Sequence, residues 1–205
     1  MAIDGGAATG TWARGFKRVY PNANVLCIEP REDAQADLHR LAGESPGITV
    51  AKALVGATAG EAEFYVMRDQ SSMLKTASGK PFGSPVAMPV QTIDGLIAKL
   101  SLPMPDLIKL DLQGAELEAI MGAPLALEHA TAVLAEVSFL PFQENSPLAG
   151  DIVHFLAQRD FVLYDIFSLA QRPLDGALAQ ADFLFLKKTS DLLLDHRWST
   201  DAEWT

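Results

Sequence analysis

Apolar residues fall along this chain in short blocks whose spacing switches between that of a buried strand and that of a helix face. Ala2-Ile3 steps into Asp4 and a run of tiny residues that ends at Gly10. Trp12, Phe16, Val19 and Tyr20 then recur at i, i+4, i+7 and i+8, which predicts an amphipathic helix closing at Pro21. Val25-Leu26-Cys27-Ile28 is wholly apolar, the pattern of a parallel strand buried on both faces, and it ends in Glu29-Pro30. Ala34, Leu38, Leu41 and Ala42 predict a second helix before Ser45-Pro46-Gly47, and residues 48–55 read as one strand. This β-α-β-α-β order is the half-unit of a doubly wound sheet.

The spacing changes character in the middle of the chain. Residues 61–66 and 86–93 predict two strands forming an antiparallel excursion from the main sheet. Between them residues 67–87 are rich in Ser, Gly and Pro and carry Arg68, Lys75 and Lys80, so this stretch is either a lid or acceptor-binding loop or a plain surface loop. Asp94 reads as the N-cap of a short helix holding Leu96, Ile97 and Leu100. Leu107 to Asp111 is a strand, Gln113-Gly114 a turn, and Ala115 to Met121 a helix. Residues 131–137 form the next strand, and Ser146-Pro147 opens a helix with Leu148, Ile152, Phe155 and Leu156 on one face. His154 falls off that face and reads as solvated. Residues 161–166 and 182–187 complete the sheet as an antiparallel pair at one edge.

The tiny-residue run lets the backbone turn sharply between strand and helix and approach a ligand that a Cβ would push away. Two cofactors compete for it. Gly5-x-Ala7-x-x-Gly10 is a loose dinucleotide fingerprint, while Asp4-x-Gly6-x-Ala8-x-Gly10 matches the acid-plus-small pattern of S-adenosylmethionine (SAM) methyltransferases. A carboxylate at Asp4 would repel a pyrophosphate at the helix N-terminus and attract a sulfonium and an ammonium, which favours SAM. Glu29 lies 19 residues past Gly10, where nucleoside-binding folds place an acid for ribose hydroxyls; the plain alternative is a solvated strand end. Ligands of open parallel sheets lie outside the carboxyl ends of the strands, so Asp4, Glu29 and Asp111 should converge on one crevice.

Composition narrows the classes. With 205 residues, 49% of them hydrophobic, the chain suits one sizeable domain spanning 1–205. A net charge of −10 with 16 scattered Lys and Arg argues against a nucleic-acid substrate. Cys27 stands alone in an apolar run and reads as a small core residue, and His39, His129, His154 and His196 are too far apart to suggest a metal site. Nothing resembles a signal peptide or a membrane span, so a soluble, cytoplasmic protein is expected.

Several blocks together resemble FkbM-type SAM-dependent methyltransferases. They are Asp4-Gly5-Gly6-Ala7-Ala8-Thr9-Gly10, Ile28-Glu29-Pro30, Ser71-Ser72-Met73-Leu74, Val90-Gln91-Thr92-Ile93-Asp94, Ile108-Lys109-Leu110-Asp111-Leu112-Gln113-Gly114-Ala115-Glu116 and Ala135-Glu136-Val137. Gln113 departs from the family, which often has an acid there. The chain also begins almost at its first strand, so a helix that usually precedes and covers the cofactor is absent or belongs to an upstream start. The resemblance implies a Rossmann-like class I methyltransferase fold, α/β, with a seven-stranded mostly parallel sheet and helices on both faces, and O-methylation of a hydroxyl on a small molecule or sugar.

The cofactor-binding set is then Asp4, Gly5, Gly6, Gly10 and Thr11 around the methionine end, Glu29 at the ribose, Ala53 and Leu54 at the adenine, and Asp111 facing the reacting centre. Asp111, Glu116 and Glu136 are the acids placed to assist an acceptor proton. The rival readings are an NAD-linked oxidoreductase, for which no Tyr-x-x-x-Lys pair is present, and a non-catalytic Rossmann-like nucleotide-binding module. A homodimer is a further expectation, and residues 190–205, with Trp198 and Trp204, dock either on the domain or on such a neighbour.

Overall fold

The computed structural model describes residues 1–65, 71–75 and 85–197. In chain order its elements are β1 (Ala2–Gly5), α1 (Thr11–Val19), β2 (Val25–Ile28), α2 (Glu32–Glu44), β3 (Ile48–Ala51), β4 (Leu54–Val55), β5 (Gly60–Tyr65) and β6 (Pro85–Gln91). These are followed by α3 (Ile93–Lys99), β7 (Leu107–Leu110), α4 (Glu116–Met121), α5 (Pro124–His129), β8 (Ala132–Ser138), α6 (Ala149–Ala157), β9 (Phe161–Gln171) and β10 (Leu178–Lys187).

Seven strands form one sheet in the order β3-β2-β1-β7-β8-β10-β9, parallel except for β10, which runs antiparallel to both its neighbours. β1 and β2 are buried at every position; β2 is wholly apolar, and β1 is apolar or tiny except for Asp4. Alternate residues of β2 serve opposite layers. Leu26 and Ile28 join a large core with residues of α3, α4, α5 and α6, while Val25 and Cys27 join a smaller core with Leu38 and Leu41 of α2. Helices therefore cover both faces. Among the described residues no helix is long and apolar enough to cross a membrane.

The structure corrects four expectations. Residues 48–55 are not one strand: β3 ends at Ala51, and Leu54–Val55 pairs in parallel with β6 in a separate three-stranded sheet, β4-β6-β5. The antiparallel β5–β6 excursion belongs to that second sheet.

The aromatic stripe of α1 meets the core at Phe16, which packs half-buried against the smaller core, and not along its length. Ala13 and Lys17 are the buried positions, Val19 and Tyr20 are 69% and 57% exposed, and Phe16 stacks on Trp12 and meets Tyr20 at a tilt. The Lys17 ammonium turns inward because it donates to the carbonyls of Pro21, Ala23 and Pro46, tying together the turns that lead into β2 and β3. A lysine spent on three carbonyls overrides the apolar periodicity.

Thr92, rather than Asp94, caps α3, its hydroxyl accepting from Gly95 N at 3.0 Å. Asp94 accepts from Leu125 N and Ala126 N at 2.8 and 2.9 Å, the free amides at the start of α5, a helix the spacing did not predict. Finally, β9 continues to Gln171, well past Ile166, and β10 starts at Leu178.

Candidate active site

The carboxyl ends of β1, β2 and β7 and the start of β4 open on a cleft of about 230 Å³. Its apolar wall is Ile28, Ala53, Leu54, Val55, Phe64 and Met73, and its polar groups include Glu29, Asp111 and the backbone at Gly6 and Ala8.

The turn after β1 is locked from two sides. Gly6 N and Ala7 N both donate to Ile28 O, at 3.0 and 3.1 Å, and Ala8 N donates to Glu29 Oε2 at 2.8 Å. Gly6 has φ +73°, and a Cβ there would lie 1.8 Å from the Asp111 carbonyl, so no other residue fits. Gly10 serves packing rather than the cleft: its φ is +82°, and a Cβ would meet Leu41 Cδ2 at 2.5 Å. Thr11 is exposed at the start of α1, and neither it nor Gly5 lines the cleft.

Glu29 is buried yet reaches the cleft wall. Besides Ala8 N it accepts from Arg31 N at 3.0 Å and Arg31 Nε at 3.3 Å, and Gln35 Nε2 holds the Glu29 carbonyl at 2.8 Å. The acid after β2 is thus fixed in one orientation before any ligand meets it.

Asp4 sits lower than expected. It is completely buried beneath the Gly5-Gly6 turn, off the cleft, with Lys109 Nζ 2.9 Å from Oδ1. Burial pushes its carboxyl above the usual range, Lys109 pulls it back, and Asp111 adds to the rise. Neither Asp4 oxygen accepts an aligned hydrogen bond among the described residues. The same ammonium donates to Gly5 O and Gly6 O at 3.3 Å and lies 4.0 Å from Asp111 Oδ2. Sequence reasoning gave Lys109 no role. The signal was there in Leu107-Ile108-Lys109-Leu110, since a lone cation in a buried strand needs an anion beside it.

Asp111 is half-exposed on the cleft. Gln113, at φ +53°, donates its single amide group both to Asp111 Oδ1 and to Glu136 Oε2, each at 3.0 Å. Gln180 Nε2 on β10 also donates to Glu136 Oε2, at 2.9 Å. Glu136 therefore stands one residue behind the cleft, reached through Gln113. Burial raises its carboxyl to about 8, helped by the negative charges of Asp111, Glu116 and Asp182, the residue paired with it across β8 and β10, and opposed by Lys109.

Glu116 is placed differently from the other two acids. Its buried carboxylate accepts from Leu112 N at 2.6 Å and from Gly114 N at 3.0 Å, and it does not line the cleft. Burial lifts it to about 7, with Asp111 adding and the amide bonds opposing. It holds the loop that carries Asp111 and Gln113.

Of the expected loop 67–87, only 71–75 and 85–87 fall within the described residues; Arg68 and Lys80 lie outside them. Ser71 and Met73 line the cleft, and Ser72 Oγ donates to Gln113 O at 2.8 Å while accepting from Leu74 N at 3.0 Å. Met73 is shared with a second, shallower hollow of about 390 Å³, bordered by Glu63, Tyr65, Lys75, Glu144 and Asn145. His154 is exposed and meets only Gln158, and Cys27 is a buried core thiol pushed up to about 12, mainly by burial.

A parallel sheet ended by one inserted antiparallel strand, with a cleft at the strand ends and a tight glycine turn after β1, defines a Rossmann-like methyltransferase. Solved enzymes share this fold. Precorrin-6y C5,15-methyltransferase from Geobacter metallireducens is 12% identical with a TM-score of 0.52, over 91% of this chain and 79% of its own. Magnesium protoporphyrin IX methyltransferase from Synechocystis, solved with bound SAM, is 11% identical with a TM-score of 0.52, over 91% and 71%. The chain itself belongs to the methyltransferase FkbM domain family, whose model matches residues 4–163. An FkbM methyltransferase from Methylobacillus flagellatus is 20% identical with a TM-score of 0.55 over 89% of this chain, which spans only 42% of that protein. No protein with a curated description matches in sequence.

Proposed function

We propose that this chain binds SAM in the cleft and methylates a hydroxyl of a small molecule or carbohydrate. The observation that carries the reading is the pairing of an apolar wall with two carboxylates at the strand ends, Glu29 and Asp111, in a cleft walled on one side by a glycine turn. Such a lining suits a ligand with a flat apolar ring, a diol and a cationic end. It does not suit a pyrophosphate.

Ala53 and Leu54 would hold the adenine, Glu29 the ribose hydroxyls, and Gly6 with Asp111 the methionine end. Asp4 and Gly5 would act from below, through Lys109 and the shape of the turn, and Gly10 and Thr11 only by placing α1. When bound, SAM supplies a methyl group activated on a sulfonium, so the protein's task is to position, desolvate and take up a proton. Asp111 is the acid on the cleft itself. Glu136, with a carboxyl near 8, would exchange a proton with an acceptor that displaces Gln113, whose amide hydrogen-bonds both carboxylates and relays no proton. Glu116 is spent on backbone amides and fixes the loop rather than the reaction. The hollow beyond Met73 is the natural side for the acceptor to enter, and the charge of −10 speaks against a nucleic-acid one.

Calorimetric titration tests the cofactor. SAM or S-adenosylhomocysteine should bind and NAD should not; NAD binding without SAM binding would overturn the proposal.

A further inference from the structure

We propose that β9 is the interface of a two-fold homodimer, meeting the same strand of a second copy antiparallel about Ile166. The two edges of the large sheet are built unlike each other. β3 is four residues long, with Lys52 paired to Glu32 beside it. β9 is eleven residues long, has β10 on one side, and among the described residues has no strand on the other. Soluble proteins blunt such edges with Lys, Pro, brevity, charge or bulges. β9 has no Lys or Pro and is not short; it is bulged at Tyr164 and Ser168, and Asp165 accepts from the Ile166 amide at 2.8 Å, a bond the second copy would have to replace.

Most of its exposed side chains are apolar, interrupted by Asp165, Ser168 and Gln171. Leu163, Tyr164, Ile166, Phe167 and Leu169 are 37–64% exposed, and Leu174 at the hairpin tip is 81% exposed. Together they present roughly 500–600 Å² of apolar surface, most of the ~800 Å² that each partner buries in a stable interface. That is the upper end of what the largest apolar patch of a monomer reaches, and such patches are often functional.

The pattern is self-complementary, which selects a second copy over other occupants. Against β10, Tyr164 is an extra residue between the pairs Asp165↔Leu184 and Leu163↔Phe185. Ser168 and Leu169 together face Ala181, with Ser168 at φ +54°. The irregularities at Tyr164 and Ser168 are thus symmetric about Ile166, and a two-fold axis there sets bulge against bulge. It also sets Leu163 against Leu169 of the second copy. Copies of a chain with net charge −10 repel one another except where charge is sparse, and residues 161–171 hold one charged side chain, Asp165. With the axis on Ile166, each Asp165 faces Phe167 of the other copy, not its counterpart.

Sedimentation and light scattering on the full chain should give a dimer at tens of micromolar. Ile166→Lys would place two ammonium groups across the axis and should weaken the dimer by about 100-fold or more. SAM binding should not change, since β9 does not line the cleft, while the melting temperature should fall to that of the dissociated chain and lose its dependence on protein concentration. Ile166→Cys should oxidise to a covalent dimer because the two Cβ atoms would be cross-strand neighbours, whereas Leu163→Cys should not self-link. Cys27 is buried and will not contribute. A wild-type monomer at several hundred micromolar would overturn the proposal, whether residues 198–205 or another protein covers the strand. So would a dimer that survives Ile166→Lys, or one in which Ile166→Cys does not link. If the lysine variant fails to fold, the cysteine pair alone decides.

Discussion

Replacing Lys109 with Met removes the cation beside a fully buried carboxylate without changing the volume of β7 much. Asp4 has Lys109 Nζ at 2.9 Å and no aligned hydrogen bond. Leaving one partner of a buried pair alone costs about 3–5 kcal/mol. The structure sets a ceiling, because Asp4 escapes by taking a proton. Holding that proton at pH 7 against an ordinary value of 3.8 costs at most about 4 kcal/mol, and at pH 5 under about 2 kcal/mol. The penalty relative to wild type should therefore shrink as the solution becomes more acid. Glu136, whose carboxyl Lys109 also lowers, leans the same way. For a domain of this size the loss of melting temperature should be about 10 °C at pH 7 and less than half that at pH 5. Thermal unfolding by circular dichroism, with wild type measured at each pH, reads both numbers. Asp4→Asn in the Lys109→Met background should recover most of the loss. A depression equal at both pH values, or below about 2 °C at pH 7, would show that Lys109 does not neutralise Asp4.

Three other outcomes are expected. Glu29→Ala should weaken SAM or S-adenosylhomocysteine binding by about 1–3 kcal/mol in calorimetry, since the proposed charge-assisted partner of the ribose is lost together with the hold on Ala8 N. Glu116→Gln should lower unfolding free energy by about 1–3 kcal/mol in urea while leaving single-turnover methyl transfer of the folded fraction near wild type; a 100-fold fall in turnover with normal stability would return Glu116 to the chemistry. Glu136 has its carboxyl raised to about 8, so its contribution is present below about 4.5 and is lost as pH rises through 8. Stability should therefore fall from pH 5 to pH 9, and Glu136→Gln should flatten that slope by up to about 1.4 kcal/mol per pH unit.

The parts of this molecule that local pattern dictates were legible in its sequence. The wholly apolar run Val25–Ile28 became β2, the mainly apolar stretches around Asp4 and Lys109 became β1 and β7, and their order placed Glu29 and Asp111 on one cleft. What the pattern could not carry was any choice made by a distant partner. The stripe of Trp12, Phe16 and Tyr20 is as regular as a core face, yet Lys17 decides the rotation of α1 through carbonyls at Pro21, Ala23 and Pro46. Asp94 has the local form of an N-cap, but its ligands are amides 31 and 32 residues on. Residues 48–55 are uniformly strand-like, and only the second sheet separates Leu54 from Ala51. Glu116 was identified by its place in the chain, and its side chain turned out to be claimed by Leu112 and Gly114. Gln113 looked like a departure from a family pattern, while its amide is what joins Asp111 to Glu136.

The strand order also sets a timetable for synthesis. β1 is made about a hundred residues before β7 and becomes an inner strand, flanked by β2 and β7, with Ala2 level with Leu107. At ordinary ribosomal speeds its second neighbour arrives about 5–20 s later. Throughout that interval Asp4 has no Lys109, the Gly6 turn has no Asp111 carbonyl to press against, and one side of β1 is a bare hydrogen-bonding edge. A stalled or slowly translated chain is thus most exposed to misassociation between residues 30 and 107, a window in which a holding chaperone acting on the nascent chain would raise the yield of folded protein.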